Sequence, residues 1–227
     1  MANISHELKT PIGALSILSE AVLEASNDPE AIVKFANRMQ SEAKRLSDLV
    51  QEIINLSRLQ DDDPLKNGKN VEISEVISEA IEQSRLNAES RKITIAYEDN
   101  TEAYVNGDRN QILMAVHNLI ENAINYSPDS TRIAVALKTK NDLAEISVSD
   151  QGIGIPEKDL ERIFERFYRV DPARSRLTGG TGLGLSIVKH IATNHGGDVS
   201  VWSVEGAGST FTIRFPLVNI NNLELSK

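Results

Sequence analysis

The first residues able to do chemistry stand near the start of the chain, in Ser5-His6-Glu7-Leu8-Lys9-Thr10-Pro11. An exposed, neutral imidazole is a usable nucleophile. Glu7 adjoins it, and Thr10 follows one helical turn on. Around them Ile4, Leu8, Ile12, Leu15, Leu18 and Val22 step by three and four, a narrow seam of the kind that packs on another helix. His6 lies two residues from both Ile4 and Leu8, so it faces away from that seam into water. Alone, this heptapeptide reads equally well as a surface histidine on an amphipathic helix.

Three later stretches have the residue types that hold a nucleotide. Asp150-Gln151-Gly152-Ile153-Gly154-Ile155 offers a carboxylate that can accept from an exocyclic amine, and glycines that let backbone approach a ligand. Gly179-Gly180-Thr181-Gly182-Leu183-Gly184 opens a helix, where backbone N–H groups and the helix dipole favour phosphate oxygens. It lacks the ending of a Walker A loop and the βαβ setting of a Rossmann turn. Asn118, Asn122 and Asn125 share a helix face with Tyr126 beside them, so their amides can converge on a metal–phosphate group. Arg166, Arg169, Arg174 and Arg176 cluster around a single acid, Asp171, a basic patch suited to an anionic small molecule. Each has a plainer alternative: an Asp-Gly turn, the wet side of a helix, a solvated loop.

Helical and strand patterns must position these groups. Residues 3–26 read as one helix, Ser26-Asn27-Asp28-Pro29 as a break with an N-cap candidate, and a second helix runs to about 59. In it Ile32, Ala36, Met39, Ala43, Leu46, Val50 and Ile53 alternate by four and three, with Leu49, Leu56 and Leu59 widening the stripe. Two such helices cannot bury both seams alone. A second copy would complete a four-helix bundle, so 1–60 reads as a dimerisation hairpin. Residues 61–70 are polar, with proline and glycine, and read as a linker.

Beyond it the pattern predicts a strand at 71–73, a helix at 75–90, a strand at 93–97 and a helix from Gly107-Asp108 to about 126. Strands at 131–139 and 144–149 follow, then a long loop over 151–181, expected to be mobile without ligand and anchored by Phe164 and Phe167. A helix at 183–195, stopped by Gly196-Gly197, and strands at 198–203 and 209–215 close the domain, 71–218 in all; 219–227 reads as a disordered tail. Helices on one face of a mixed sheet are expected.

Composition narrows the function. Thirty-three acids against 24 Lys and Arg give a net charge of −9, which argues against nucleic acid as the main partner. Cysteine is absent, so disulfides and thiolate metal sites are excluded. No apolar run approaches the length of a membrane span, and no signal peptide is visible.

In this combination and order, SHELKTP, NLIENAINYS, DQGIGI, FERFYRVD and GGTGLGLSI resemble the H, N, G1, F and G2 boxes of the sensor histidine kinases of two-component signalling. The resemblance covers nearly the whole chain. In ARSRLTGG, IVKHIATNHGG and VWS the chain is most similar to actinobacterial kinases that respond to phosphate limitation. The implied fold class is α+β: an antiparallel helical hairpin forming a dimeric four-helix bundle, then a GHKL-type (Bergerat) α/β sandwich. The implied activity is an ATP-dependent protein-histidine kinase. His6 would be the phosphoacceptor, Glu7 its base, and Thr10 the residue orienting a hydrolytic water. The cofactors implied are ATP and Mg2+. Asn122 would hold magnesium, Asn118 would lie on the phosphate side, Tyr126 would meet adenine or ribose, and Asp150 would accept from the adenine amine. Arg169 would meet the phosphates, with Gly152 and Gly154 beside the base. Gly180, Thr181, Gly182, Leu183 and Gly184 would frame the end of the lid. At Asn125 the family commonly has lysine, so a phosphate-side cation is missing. His117, His190 and His195 match no motif and read as structural. A homodimer and a response-regulator receiver domain are the expected partners. The placement expected is cytoplasmic, as the excised core of a membrane-bound sensor.

Two other readings fit parts of this pattern. A plain ATPase of the same fold leaves the exposed His6-Glu7 pair without a role. A nucleotide-binding dimeric scaffold leaves Asn122 and Asp150 without chemistry, although Asn125 is compatible with it.

Overall fold

The computed structural model describes residues 2–61, 63–66, 68–98, 101–171 and 180–218; the side chains of Ala2, Asn3, Ile4, His6, Gln60, Asp61 and Glu98 lie outside the description. The expected tail, Arg174, Arg176, Gly179 and the outward direction of the His6 ring therefore also fall outside it. The chain forms two compact units, Met1–Arg58 and Leu59–Lys227.

The first unit is a helical hairpin of α1 (Ala2–Glu24) and α2 (Pro29–Asp61), the last turn of α2 belonging to the second unit. Asp28 caps α2: its Oδ1 accepts from the N–H groups of Glu30 and Ala31, each at 3.1 Å. Proline fits the first helical position because its missing N–H would have no partner there. Inside α1, Pro11 has no N–H for the carbonyl of Glu7, so the helix lacks one bond just past His6. In the single chain Leu49 and Leu56 are buried, whereas Ile12, Ile17, Val33 and Val50 stay exposed.

Among the described residues the second unit stacks three helices on a five-stranded sheet. The strands are β2 (Thr94–Glu98), β4 (Arg132–Lys140), β5 (Leu143–Ser149), β6 (Asp198–Val204) and β7 (Gly208–Pro216), in the order β2-β4-β5-β7-β6. Only β2 and β4 are parallel. Strand alternation sends Ile133, Val135 and Leu137, with Ile146 and Ile213, into the core. Against that face lie α3 (Ile73–Ser90), α4 (Arg109–Tyr126) and α5 (Gly184–Asn194), with α4 in the middle. Asp108 caps α4 by accepting from Asn110 and Gln111 N–H. Asn141 and Asp142 take positive φ in the tight β4–β5 turn, and Gly196 does so just past α5.

Three details depart from the sequence reading. A strand absent from it, β3 (Tyr104–Gly107), pairs antiparallel with β1 (Lys69–Glu72) as a separate ribbon. The end of the expected linker, Lys69 and Asn70, is therefore strand, and Ile73 opens α3 rather than closing a strand. The long loop also has structure: short 3-10 turns at Glu157–Asp159 and Arg162–Phe164. They form because Ile163 is buried, Phe164 packs edge-on against Phe211 at 6.5 Å, and the Tyr168 hydroxyl donates to buried Asp159 at 2.7 Å.

Candidate nucleotide site

At the end of the sheet where β5 leaves the core, the second unit opens a pocket of about 790 Å³ of empty space, partly open to solvent. Asn122 and Tyr126 reach it from the last turns of α4, Asp150 from the end of β5, and Arg169 from the loop beyond the 3-10 turns. Ile153 and Phe211 supply apolar wall. A mostly apolar cleft with a few placed polar groups is the usual form of a small-molecule site.

Asp150 is held by backbone. Its Oδ1 accepts from the N–H of Gly152 at 2.7 Å and of Ser209 at 3.2 Å, while its own N–H donates to Ser209 O at 2.9 Å. Burial raises the carboxyl above its ordinary value, against the lowering effect of those two bonds. Two glycines make this corner possible. A Cβ on Gly152 would stand 2.6 Å from Tyr126 O, and Gly154 has φ +67 with its Cβ position 2.1 Å from Val204 O.

The asparagine face divides. Asn122 lines the pocket, but Asn118 and Asn125 do not. Asn118 donates to Met114 O one turn back at 2.8 Å, and its Oδ1 lies 2.9 Å from where a Cβ on Gly184 would be. Helical spacing puts the three on one face; close packing of α5 against α4 takes Asn118 out of the cavity. Gly180 approaches the site: its Cβ position is 3.8 Å from the Tyr126 hydroxyl and 4.0 Å from Arg169 Nη2. Thr181 and Leu183 are buried, and Leu183 N–H donates to Thr181 Oγ1 at 3.2 Å, ahead of α5. Gly182 (φ +79) accepts from the N–H of Phe167, itself at φ +64, at 2.8 Å. In the other unit Glu7 is half-buried and Thr10 exposed on α1.

Tyr168, Leu185 and Ser209 line the pocket without having been singled out by sequence. Tyr168 could have been found beside Arg169 in the same motif. Ser209 could have been found only from the β5–β7 register, where Ser149 faces Thr210. The three unassigned histidines make structural contacts. His117 Nε2 is 3.8 Å from Glu121, His190 Nε2 is 2.9 Å from Leu59 O, and His195 bridges Asp108 and Ile191.

Comparison with known proteins agrees with this geometry. Residues 1–62 match the His Kinase A (phospho-acceptor) domain, and 107–219 match the histidine kinase-, DNA gyrase B- and HSP90-like ATPase family. The sensor-like histidine kinase SenX3 of Mycolicibacterium smegmatis is 47% identical over 216 residues, which cover 95% of this chain and 56% of that protein. The phosphate regulon sensor protein PhoR of Pseudomonas aeruginosa is 33% identical over 225 residues, 99% of this chain and 51% of the relative. The chain thus spans about half the length of these curated relatives. Among solved structures, the mycobacterial sensor histidine kinase MprB superposes with TM-score 0.59 at 32% identity, covering 66% of this chain and 97% of MprB. Histidine kinase ThkA, in complex with response regulator protein TrrA, gives TM-score 0.73 at 25% identity over 96% of this chain and 60% of that one. By its motifs, its fold and these likenesses, the chain belongs to the sensor histidine kinases.

Proposed function

We propose that the chain is the catalytic core of an ATP-dependent protein-histidine kinase. In this reading 1–60 is the dimerisation and phosphoacceptor hairpin, the linker from 61 ends at 68, and the ATP-binding domain runs from β1 to 218. A ring nitrogen of His6 attacks the γ-phosphorus of ATP. An N–P bond forms, the bond to the β–γ bridging oxygen breaks, and ADP leaves. Glu7 holds the proton of the other ring nitrogen and orients the imidazole. The phosphoryl group then passes to an aspartate of a response-regulator receiver domain, and Thr10 positions the water that later hydrolyses the aspartyl phosphate.

One observation carries the reading: Asn122, Asp150 and Arg169, from segments far apart in sequence, line a single pocket in a chain whose first helix bears a His-Glu pair. Phosphoryl transfer needs positioning and charge neutralisation more than covalent help. Asp150 accepts from the adenine amine, Tyr126 lies along the base or ribose, and Arg169 meets the phosphates. The α5 end supplies backbone N–H groups through Gly180, Gly182 and Gly184.

Asn122 is the residue that would hold Mg2+. Among the described residues no group of three His, Cys, Asp or Glu could hold a metal. A single amide oxygen suits a hard cation that keeps most of its shell as water and phosphate oxygens. When bound, that ion neutralises charge on the phosphates. Asn125 brings no charge of its own, and among the described residues Arg169 is the cation lining the pocket.

The apolar residues left exposed on α1 and α2 support a homodimer. Placement on the cytoplasmic side of a membrane-attached sensor rests on the family alone; no described helix is long and apolar enough to cross a membrane.

The test is incubation with γ-labelled ATP and Mg2+. An acid-labile, base-stable label that disappears in His6→Ala is expected. Nucleotide bound and hydrolysed with no label on the chain would leave the plain ATPase instead.

A further inference from the structure

The end of α4 that carries Asn122 and Tyr126 is gripped by a residue outside the pocket. Arg91 follows the last residue of α3, and its guanidinium reaches across to the last turn of α4. Nη1 donates to Ile124 O, Nη2 to Ser127 O at 2.9 Å, and Nε to Asp129 Oδ1 at 2.9 Å. Its own carbonyl accepts from Ser130 N–H at 3.1 Å.

The final carbonyls of a helix have no partner within it, and a cation there also meets the negative end of the dipole. Arg91 supplies both. The grip passes on to the pocket: Tyr126 O accepts from Ile153 N–H at 3.4 Å and sits against Gly152, whose N–H holds Asp150.

We infer that Arg91 is a positioning residue for the nucleotide, fixing the last turn of α4 so that Asn122, Tyr126 and the Asp150 loop keep one mutual geometry. This rests on the pocket being an adenine-nucleotide site. The planar fork matters because it engages two carbonyls and a carboxylate at once; an ammonium meets them only as a point charge.

The experiment compares the full chain with Arg91→Ala, Arg91→Lys and Asp129→Ala. It reads calorimetric affinity for ADP well below each thermal midpoint, and amide exchange at Ile153 without nucleotide. Arg91→Ala should weaken ADP about 10-fold or more, since a displacement of about 1 Å can cost on that scale, and should speed exchange at Ile153. Arg91→Lys should recover part of both. Asp129→Ala removes only a partner that is itself exposed and should stay within about twofold. ADP affinity and Ile153 exchange equal to wild type in folded Arg91→Ala, with only the midpoint lowered, overturns the inference. If Arg91→Ala does not fold, Arg91→Lys decides: unchanged affinity and exchange overturn it, a several-fold loss in both supports it. Failure of the wild-type chain to bind ADP overturns the nucleotide reading instead, and this inference with it.

Discussion

The imidazole of His195 accepts through Nε2 a hydrogen bond from the backbone N–H of Asp108, 3.1 Å away and 87 positions earlier, while Nδ1 faces Ile191 O at 2.8 Å. With one nitrogen accepting and the other donating, the ring is neutral. Burial pushes its pKa below the usual 6.5. The unfolded chain therefore takes up this proton first as pH falls, so the stability His195 contributes is complete above about pH 6.5 and lost progressively below it. Thermal midpoints between pH 8 and pH 5 should show that loss. His195→Phe should flatten it and cost about 1–3 kcal/mol through the orphaned Asp108 N–H. Gly107→Ala should destabilise by about 1–3 kcal/mol at every pH, because its Cβ would stand 2.2 Å from the same ring.

Asp150→Asn should weaken ATP about 10-fold or more, the value of a hydrogen bond to a charged acceptor. The amide oxygen can keep the Gly152 and Ser209 N–H bonds, but the amide nitrogen then faces the adenine amine, donor against donor. Because the carboxyl of Asp150 is raised, wild-type affinity should start to fall at a higher pH than an ordinary carboxylate near 3.8 would give. The same shift favours the protonated ligand-free fold, so from this group the apo domain gains stability over that range while binding declines. Titration calorimetry against pH reads the first, apo melting the second. Unaltered affinity in Asp150→Asn would mean the adenine lies elsewhere.

Val50 is exposed in the single chain, so Val50→Glu should cost the hairpin little by itself. In a four-helix dimer the same charge falls in an apolar seam, where burial without a partner is expensive. Sedimentation should show weaker association at unchanged helix content. A concentration-independent monomer for the wild-type chain would remove the dimer altogether.

Thr10 lies on α1 one turn beyond His6, about 6 Å along the axis. Thr10→Ala should keep autophosphorylation and lose regulator dephosphorylation. Glu7→Ala should slow autophosphorylation by about 10²–10⁴-fold, the range for a positioned general base. A wild-type dephosphorylation rate in Thr10→Ala would make the threonine a packing residue only.

Local signals were the legible ones. Asp28 and Asp108 announced their helices because a cap acts within three residues. What escaped reading depended on partners far away. Four-residue β3 is too short to show a period, and it exists because β1 lies more than thirty positions earlier. Arg91 looks like an ordinary basic residue after a helix; its acceptors come 33 to 38 positions later. In the site, Asp150 and Asn122 could be picked by type and spacing. That Asn118 turns to α5 could not, since helical spacing says which residues share a face and not what packs on it.

The register of the sheet also has a consequence for how the protein is made. β5 pairs with β7, and Asp150 is held by Ser209, 59 positions later. During synthesis the carboxylate, α4 and Arg169 all leave the ribosome before the strand that completes the corner around Asp150. Until β7 is out, β5 has only β4 beside it and shows an unpaired edge of the sort that invites other strands. A chain stalled ahead of Gly208 would thus be a folding hazard with an unfinished pocket, and in this domain the candidate site and the complete sheet arrive together.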